Sequence, residues 1–410
     1  MSHRFNRLAA SLALAACANL AHAAGFALIE QNASGLGNAY AGQAAAAIDA
    51  STIFFNPAGM TYLPDRQVVV AGHLIKPVAK FSGDAVFTTP PLEGIPVPGG
   101  NGGDAGGLAL VPNVYFAFRL TPDIHLGVGL NAPFGLKTEY DATWKGRTHA
   151  VKSEVKTINL NPSIAWKASE SLSLGAGVSL QYAEATLTNA SPAGLATVKG
   201  DDYGWGYNLG ALWQASEATR IGLAYRSEVK QTLNGDVGFS TVTSLNGPVN
   251  AGVTLPDSAS LSLFHKLSPK WDLLADATWT GWSDFRELRI VRTNGDVLGT
   301  PTQENWSDSY RYSLGANYHL NDKLTLRGGV AFDETPVSDA YRTARIPDED
   351  RTWIAFGAQY RLSRQSAIDV GYAHLFIRDA AIDKAENGVK LTGRYEASVD
   401  ILSAQFTLNF

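Results

Sequence analysis

Apolar and polar residues alternate along most of the chain from residue 66 to its end. The last ten residues show this most clearly, because single polar residues separate the apolar residues Leu402, Ala404, Phe406, Leu408 and Phe410. The segments VPNVYFAFRL and YRYSLGANYHL repeat the same period of two. Successive side chains of a β-strand point to opposite faces, so each segment is predicted to be a strand with one apolar and one polar face.

The connections between these segments are of two kinds, which alternate along the chain. Short polar turns recur at LTPDI, KASES, ASEAT, LSPKW, LNDKL and LSRQS. Between consecutive turns come two strands and one long polar or Gly/Pro-rich loop, such as TTPPLEGIPVPGGNGGDAGG. With further strands near residues 67–76 and 396–410, the total is about fourteen, and short turns at one end with long loops at the other are typical of bacterial outer-membrane barrels.

A soluble β-sandwich would also alternate, so the membrane's physical chemistry helps to decide. Lipid provides no hydrogen-bond partners, and only helices or closed barrels can span it. No segment after the N-terminal region has the run of about 18 apolar residues that a spanning helix needs. Trp and Tyr also cluster near predicted strand ends in DYGWGYN and WTGWSDF, as they do at membrane interfaces. The predicted fold is all-β, a transmembrane up-and-down antiparallel β-barrel of about 14 strands over residues 66–410.

The first residues, MSHRFNRLAASLALAACANLAHA, have the parts of a secretory signal peptide. Arg4 and Arg7 give it a positive start, an apolar core follows, and small residues precede a cleavage site after Ala23. We therefore assign residues 1–23 to a signal peptide. Lipoprotein cleavage at Cys17 is the alternative, because LAAC resembles a lipoprotein cleavage box. Cys17 is the chain's single cysteine, so the exported protein is expected to be held together by hydrogen bonds rather than disulfides.

Charge and motif content argue against several functional classes. The net charge is -5 and 17% of residues are charged, so no basic surface for nucleic acid is expected. The segment GLGNAYAG lacks the spacing of a nucleotide-binding loop. No enzyme activity, cofactor or metal is expected, although an outer-membrane lipid hydrolase with a Ser/His pair is an alternative. The histidines beyond the signal peptide, which form no recognisable catalytic or metal-binding motif, are His73, His125, His149, His265, His319 and His374.

Residues 24–65 precede the first predicted strand and are rich in Gly and Ala, with an apolar tip at Ile53, Phe54 and Phe55. A barrel of about fourteen strands leaves a bore that side chains alone do not fill. The small residues of this segment suit close packing inside it. We therefore predict that residues 24–65 form a hatch, or plug, inside the lumen. A periplasmic tail is the alternative, and it would leave the apolar tip exposed to water.

Several segments resemble the FadL-type transporters of long-chain fatty acids and hydrocarbons. AGFALIEQNASGLGNAYAG and DASTIFFNPAGM resemble the family's plug, while LPDSASLSLFHKLSPKWDLLADATWTGWSDF, LRGGVAFDETPV and RIPDEDRTWIAFGAQY resemble its C-terminal half. The resemblance implies a fourteen-stranded, plugged barrel in a Gram-negative outer membrane, with both termini in the periplasm. It further implies passive uptake of hydrophobic compounds, which leave sideways through the barrel wall. It carries a hatch motif onto Asn56, Pro57 and Ala58.

The family makes its lateral gap with a kinked strand, and the matching stretch here is GVGLNAPFGLKTEY, residues 127–140. The kink falls on Asn131, Pro133 and Gly135. Pro133 lacks the N–H that a central strand donates, and Gly135 permits a bend, so strand pairing is expected to fail there. A simple turn at the end of a strand is the alternative.

Fatty-acid carriers of this family hold the ligand's carboxylate with basic side chains in the lumen. The stretches SLQYAEATL and TPTQENW, where we expect them, carry Glu184 and Thr302 instead. Strand parity places three other candidate cations on the lumen face, Arg119, Arg311 and Arg361. The expected ligand is a long-chain fatty acid or a related apolar molecule, and a neutral aromatic or alkane hydrocarbon is the alternative.

Two other functions stay open at this point. A general porin would need a polar, charge-lined bore without a plug, and the apolar N-terminal segment argues against it. An adhesin or phage receptor would use the same long loops and is compatible with transport. The expected partners are a hydrophobic small molecule, outer-membrane lipid and lipopolysaccharide. A monomer is expected, because a plugged barrel with its own lateral exit can function alone.

Overall fold

The computed structural model describes residues 25–410. As the alternation predicts, 14 antiparallel strands form one closed barrel. The first and last strands close it through a ladder that runs from the pair Gln67 and Asn409 to the pair Phe87 and Val389. The predicted signal peptide, residues 1–23, lies outside the described residues.

The strands are numbered in chain order, and those that consist of two segments keep one number. They are β1 (Arg66–Phe87), β2 (Ala109–Arg119), β3 (Ile124–Asn131 and Gly135–Glu139), β4 (Lys152–Lys167), β5 (Leu172–Ser191), β6 (Gly194–Gln214), β7 (Thr219–Arg226 and Val229–Phe239), β8 (Gly247–Leu255 and Ser258–Ser268), β9 (Trp271–Thr280 and Ile290–Arg292), β10 (Ser309–His319), β11 (Leu324–Asp333), β12 (Arg351–Arg361), β13 (Ser366–Ile377 and Ala380–Glu386) and β14 (Val389–Asn409). Each strand pairs with its neighbours in sequence, and β14 pairs with β1.

The apolar face of each strand points outward and the polar face points into the lumen. On β14, Leu402 and Phe406 are 56% and 40% exposed, whereas Ser403 and Gln405 between them are 1% and 3% exposed. A soluble barrel or sandwich would show the opposite arrangement, with its apolar face inside. An apolar outer band around a polar interior is the arrangement of a barrel embedded in lipid.

The two ends of the barrel differ in their connections. The short polar turns share one end, where the amide nitrogen of Phe410 donates to the carbonyl oxygen of Arg66 over 3.1 Å. At the other end the connections are long, except at residues 192–193 and 387–388. The expectation of only long loops at that end is wrong at these two places, because β5 with β6 and β13 with β14 continue as extended hairpins. We call the two ends the short-turn end and the long-loop end.

Residues 25–65 lie inside the barrel, and we call them the hatch. They form three short α-helices, α1 (Ala33–Leu36), α2 (Gln43–Ala46) and α3 (Thr52–Phe55), followed by a 3₁₀-helix over Pro57–Tyr62. Most of their side chains are buried. Between residues 25 and 410, no helix is long and apolar enough to cross a membrane.

Glycine and polar side chains join the hatch to the wall. A Cβ placed on Gly357 of β12 would come within 2.7 Å of the Cα atom of Gly37, so the two backbones touch only because both residues are glycine. Gln405 on β14 donates through Nε2 to Asp49 Oδ2 over 2.8 Å and accepts from the amide nitrogen of Ala33 over 3.0 Å. The polar lumen face thereby satisfies the hatch's backbone and carboxylate groups.

Candidate functional site

The residues of the hatch motif organise the hatch itself. Asn56 precedes the 3₁₀-helix, and its Oδ1 accepts from the amide nitrogen of Ala58 over 3.1 Å. Its Nδ2 donates to the carbonyl oxygens of Ala44 and Ala211 over 2.7 and 3.0 Å. Pro57 occupies the first helical position, where its missing N–H is not needed. The motif therefore fixes the turn after α3 against α2 and against strand β6.

The apolar tip of the hatch divides into two parts. Ile53 is fully buried in a cluster with Met60 and Tyr115. Phe54 and Phe55 are half-buried, and their rings meet edge to face with centroids 5.3 Å apart. Both phenylalanines face a cavity in the lumen. Ile53 thus anchors the tip, whereas the two rings are available to a ligand.

Strand β3 breaks where the sequence places the kink. Asn131 still pairs with Asn159 on β4, and pairing resumes between Gly135 and Lys156. Residues 132–134 therefore stand opposite only residues 157 and 158, which is a β-bulge of one extra residue. Thr157 Oγ1 accepts from the amide nitrogen of Phe134 over 3.0 Å. The break is an interruption within a strand, so the alternative of an end-of-strand turn does not apply.

The break opens the wall between β2 and β3. Pairing of these strands ends at Val114 and Leu130, which leaves residues 109–113 of β2 without a ladder partner on β3. On the β3 side of the opening, the hatch takes the place of β2 from inside the barrel, because Ala27 forms a bridge with Phe134. On the outer surface beside the opening, Leu108 and Leu110 are 67% and 68% exposed. The opening therefore has an apolar rim toward the membrane.

A cavity of about 310 Å³ lies directly behind the break, and we call it the lower cavity. The hatch strand, the tip phenylalanines and the bulge all contribute to its lining. Residues that define its position are Leu28, Phe54, Phe55, Pro133, Phe134 and Arg226. The predicted hatch tip and the predicted kink, which are far apart in sequence, are therefore brought to one cavity.

A second cavity of about 100 Å³ lies toward the long-loop end, and we call it the upper cavity. Its surface is almost wholly apolar, although charged residues are among those that line it, and the lining comes mainly from β4 to β8. The two cavities share Phe26, Leu136 and Ile346 in their linings. Phe26 is 6% exposed and packs edge to face on Trp282, with centroids 4.7 Å apart. These three shared residues form a constriction between the cavities.

Two cations that the sequence analysis did not single out stand at the upper cavity. Lys199 on β6 lies with its Nζ atom 3.2 Å from Oε2 of Glu184. Arg345, from the loop between β11 and β12, donates to Ser153 Oγ over 3.0 Å. Within residues 25–410 no carboxylate lies within ion-pair distance of Arg345, and burial lowers the pKa of its guanidinium. Thr302 does not supply a cation; its hydroxyl donates to Glu386 Oε1 over 2.5 Å.

Of the three predicted lumen cations, one lines either the upper or the lower cavity. Arg119 is exposed at the short-turn end, with its Nη2 atom 2.5 Å from Asp65 Oδ1. Arg361 is also exposed at that end, and neither residue lines the upper or lower cavity. Arg311 lines the lower cavity, donates to the carbonyl oxygen of Ala39 over 2.8 Å and lies 4.0 Å from Asp333. Strand parity gives the face of a residue and not its depth, so it could not separate Arg311 from the other two.

The histidines and the polar groups around them bear on catalysis and metal binding. His73 Nδ1 lies 2.6 Å from Ser403 Oγ, but both residues are fully buried and neither lines the upper or the lower cavity. Among residues 25–410, His73 Nε2 has no hydrogen-bond partner, so no acid there completes this pair. Across the described chain, no group of three or more His, Cys, Asp or Glu side chains is placed to hold a metal ion.

Comparisons with known proteins agree with this arrangement. Residues 14–410 match the family model described as outer membrane protein transport protein (OMPP1/FadL/TodX). Outer membrane protein P1 of Haemophilus influenzae is 34% identical over 421 residues, which cover 91% of this chain and 90% of that protein. The long-chain fatty acid transport protein of Salmonella typhi is 30% identical over 418 residues, which cover 93% of this chain and 94% of that protein.

Solved structures show the same fold. A FadL homologue of Pseudomonas aeruginosa, 26% identical, aligns with a TM-score of 0.87 over 94% of this chain and 100% of that chain. The toluene transporter TbuX of Ralstonia pickettii, 17% identical, shares the fold with a TM-score of 0.70 over 93% of this chain and 100% of that chain. With its family match, its plugged barrel and its broken third strand, the chain belongs to the OMPP1/FadL/TodX family of outer-membrane transport proteins.

Proposed function

We propose that this protein moves hydrophobic compounds, above all long-chain fatty acids, through the outer membrane and releases them sideways into it. The observation that supports this proposal is the series of two cavities that meet at Phe26, Leu136 and Ile346, with the lower one ending at the break in β3. A ligand from the long-loop end would occupy the upper cavity, pass the constriction and leave between β2 and β3. Relatives named long-chain fatty acid transport protein support the same class of ligand.

Passive movement is enough for such a ligand. Each CH₂ group transferred from water to apolar surroundings contributes about 0.8 kcal/mol. An alkyl chain is therefore drawn into the upper cavity and then toward the still more apolar bilayer without an energy source. The hatch would act as the gate, because its chain closes the break from inside.

Lys199 and Arg345 favour an acid over a neutral hydrocarbon as the ligand. Both line the upper cavity. A neighbouring strand and a loop therefore supply the positive charges that were expected at the positions of Glu184 and Thr302. Lys199 already faces Glu184, whereas among residues 25–410 no carboxylate lies within ion-pair distance of Arg345, and Glu386 and Glu304 act on it only from farther away. A neutral aromatic hydrocarbon is the second candidate, and the apolar character of the remaining lining supports it.

We further propose that the protein is not an enzyme and works as a monomer surrounded by outer-membrane lipid and lipopolysaccharide. The short-turn end, with Arg66 and Phe410, would face the periplasm. The hatch lies inside the lumen with most of its side chains buried, and this argues against a general porin. The apolar rim at Leu108 and Leu110 would contact lipid directly.

Competitive binding to the purified, folded barrel tests the ligand class. A fluorescent long-chain fatty acid would be displaced by its unlabelled acid, by the methyl ester and by an aromatic hydrocarbon. Stronger competition by the acid than by the ester supports a fatty-acid carrier. Equal competition by ester or hydrocarbon would support the second candidate, and no displacement by any of the three would refute both.

A double variant tests the lateral route. Pro133→Val restores a backbone N–H, and a side chain at position 135 would meet Leu28 Cδ1 at 2.9 Å from its Cβ. The variant carrying Pro133→Val and Gly135→Val should fold, bind ligand in the upper cavity and lose most of its uptake. Normal uptake by this variant, with its fold verified by circular dichroism, would refute a lateral exit.

A further inference from the structure

Arg226 is a guanidinium in the lower cavity that is bound only by neutral groups. It ends the first segment of β7, and its Cζ atom lies 4.2 Å above the ring of Phe54. Its Nη2 atom donates to the carbonyl oxygen of Phe54 over 3.0 Å and to Asn161 Oδ1 over 3.5 Å. Its Nη1 atom donates to Ser179 Oγ over 3.1 Å. Within residues 25–410, no carboxylate lies within ion-pair distance of this side chain.

The other guanidiniums of the lower cavity already face acids. Arg351 lies 2.7 Å from Asp348, and Arg311 lies 4.0 Å from Asp333. A carboxylate that approached either of them would meet an existing negative charge. A charge held away from water is costly unless an opposite charge accompanies it. Lys137, the remaining cation of the lining, is also paired, with its Nζ atom 3.4 Å from Glu139 Oε2. Arg226 is therefore the cavity's best position for an incoming anion.

The position of Arg226 also gives such an anion a direction. The lining of the lower cavity includes both Arg226 and the residues at the break, Pro133, Phe134 and Leu136. Phe54 and Phe55 provide an apolar surface in the same cavity. An amphiphile whose head lies at Arg226 would thus extend its alkyl tail along apolar groups toward the opening in the wall.

We propose that Arg226 is a second binding site for the ligand's anionic head, separate from Lys199 and Arg345 in the upper cavity. It holds a long-chain carboxylate in the lower cavity so that the alkyl tail passes through the break first. The proposal rests on the proposed function, because it needs a fatty acid or another long-chain anion to reach the lower cavity. It assigns the upper site to capture and Arg226 to orientation before release.

The first test compares acid and ester uptake in two matched variants. Arg226→Gln removes the charge from the lower cavity. Arg220→Gln is the control, because Arg220 also binds the hatch, donating to the carbonyl oxygen of Ala46 over 2.7 Å, yet lines neither cavity. Arg226→Gln should slow uptake of a long-chain acid about ten-fold, the factor expected for a lost charge-assisted hydrogen bond, and leave its methyl ester almost unchanged. Arg220→Gln should change the uptake of the acid and the uptake of the ester by the same factor.

The outcomes separate this proposal from the function on which it rests. If the parent protein takes up neither acid nor ester, the proposed function fails. If the parent takes up both and Arg226→Gln slows them equally, or slows neither, Arg226 is a support for the hatch and the proposal is overturned.

A second measurement needs no substitution. A fatty acid with a photoreactive group near its carboxylate should label the surroundings of Arg226, such as Phe54 and Ser179. The same acid with the group at the tail end should label Pro133 and Phe134. Labelling with the two positions exchanged would overturn the orientation.

Discussion

The amide nitrogen of Leu28 donates to the carbonyl oxygen of Pro133 over 2.8 Å. One residue pair further along, Gly135 donates to the carbonyl oxygen of Phe26 over 3.0 Å. The hatch therefore supplies β3 with the ladder partners that β2 does not provide at this height. Because unpaired backbone groups are costly away from water, this short ladder is both the seal of the opening and the contact that must break for it to widen.

A reversible disulfide between the hatch and the bulge should block uptake. Ala27 and Phe134 form the bridge between these two bonds and are not hydrogen-bonded to each other. Such antiparallel pairs have Cα atoms about 4.5 Å apart, within the range that a disulfide spans. The variant with Ala27→Cys and Phe134→Cys should bind ligand in both redox states but take it up only after reduction. Uptake of a fluorescent fatty acid, with and without reductant, measures this.

The single-cysteine variants Ala27→Cys and Phe134→Cys serve as controls, and their uptake should be the same with and without reductant. The chain's only other cysteine, Cys17, lies in the predicted signal peptide. Unimpeded uptake by the fully oxidised double variant would mean that the hatch strand need not leave the bulge.

Acid selectivity should depend on Arg345 and not on the exposed arginines. Arg345→Gln should weaken binding of a long-chain acid by about ten- to hundred-fold, the range for a hydrogen bond to a charged group, and leave the ester's affinity unchanged. Arg119→Ala breaks only an exposed ion pair, which contributes about 0–1 kcal/mol to stability. The Arg119→Ala variant and the Arg361→Ala variant should each bind acid and ester as the parent protein does in the displacement assay. Loss of acid binding in either exposed variant would reassign the head-group site.

The apolar tip of the hatch should respond to the ligand. Phe54 and Phe55 face the lower cavity, so replacing both with Ser removes apolar surface that a ligand would displace or contact. Uptake should fall while binding in the upper cavity stays intact. Phe376→Ser is the matched control, since Phe376 lies on the outer face of β13 and is 53% exposed. Unchanged uptake in the Phe54→Ser, Phe55→Ser variant would remove the tip from the mechanism.

The sequence predicts more of the fold than of the site, for a physical reason. A period of two follows directly from strand geometry, and Pro133 cannot donate to a ladder, so the barrel and the place of its break can be read from residue types. The proposed carboxylate site cannot, because Arg345 comes from a loop without periodicity that folds back into the lumen. Arg119 and Arg361 share lumen parity with useful cations, but only three-dimensional structure gives their depth.

The upper cavity should bind acids more weakly at alkaline pH. Burial is the main cause that raises the pKa of Glu304 to about 8, and its Oε2 atom accepts from Trp306 Nε1 over 3.0 Å. Glu304 is therefore mostly neutral at pH 7 and mostly ionised at pH 9, beside the same cavity as Arg345. A fatty-acid carboxylate is charged at both values. Its affinity should fall about five-fold between them, equivalent to roughly 1 kcal/mol of repulsion between screened charges.

The same pKa gives the sign of a stability effect that can be measured without ligand. The folded-state pKa lies above the ordinary value of 4.5 for a glutamate. The proton-linked stabilisation is therefore complete below pH 4.5, decreases as the pH rises toward 8, and is lost above it. Glu304→Gln should remove most of this decrease in stability, which hydrogen exchange of the loop around residue 304 measures. It should also remove most of the pH dependence of acid binding. The methyl ester should show no pH dependence in either protein, and a parallel loss of ester and acid binding at pH 9 would trace the effect to loop unfolding instead of charge.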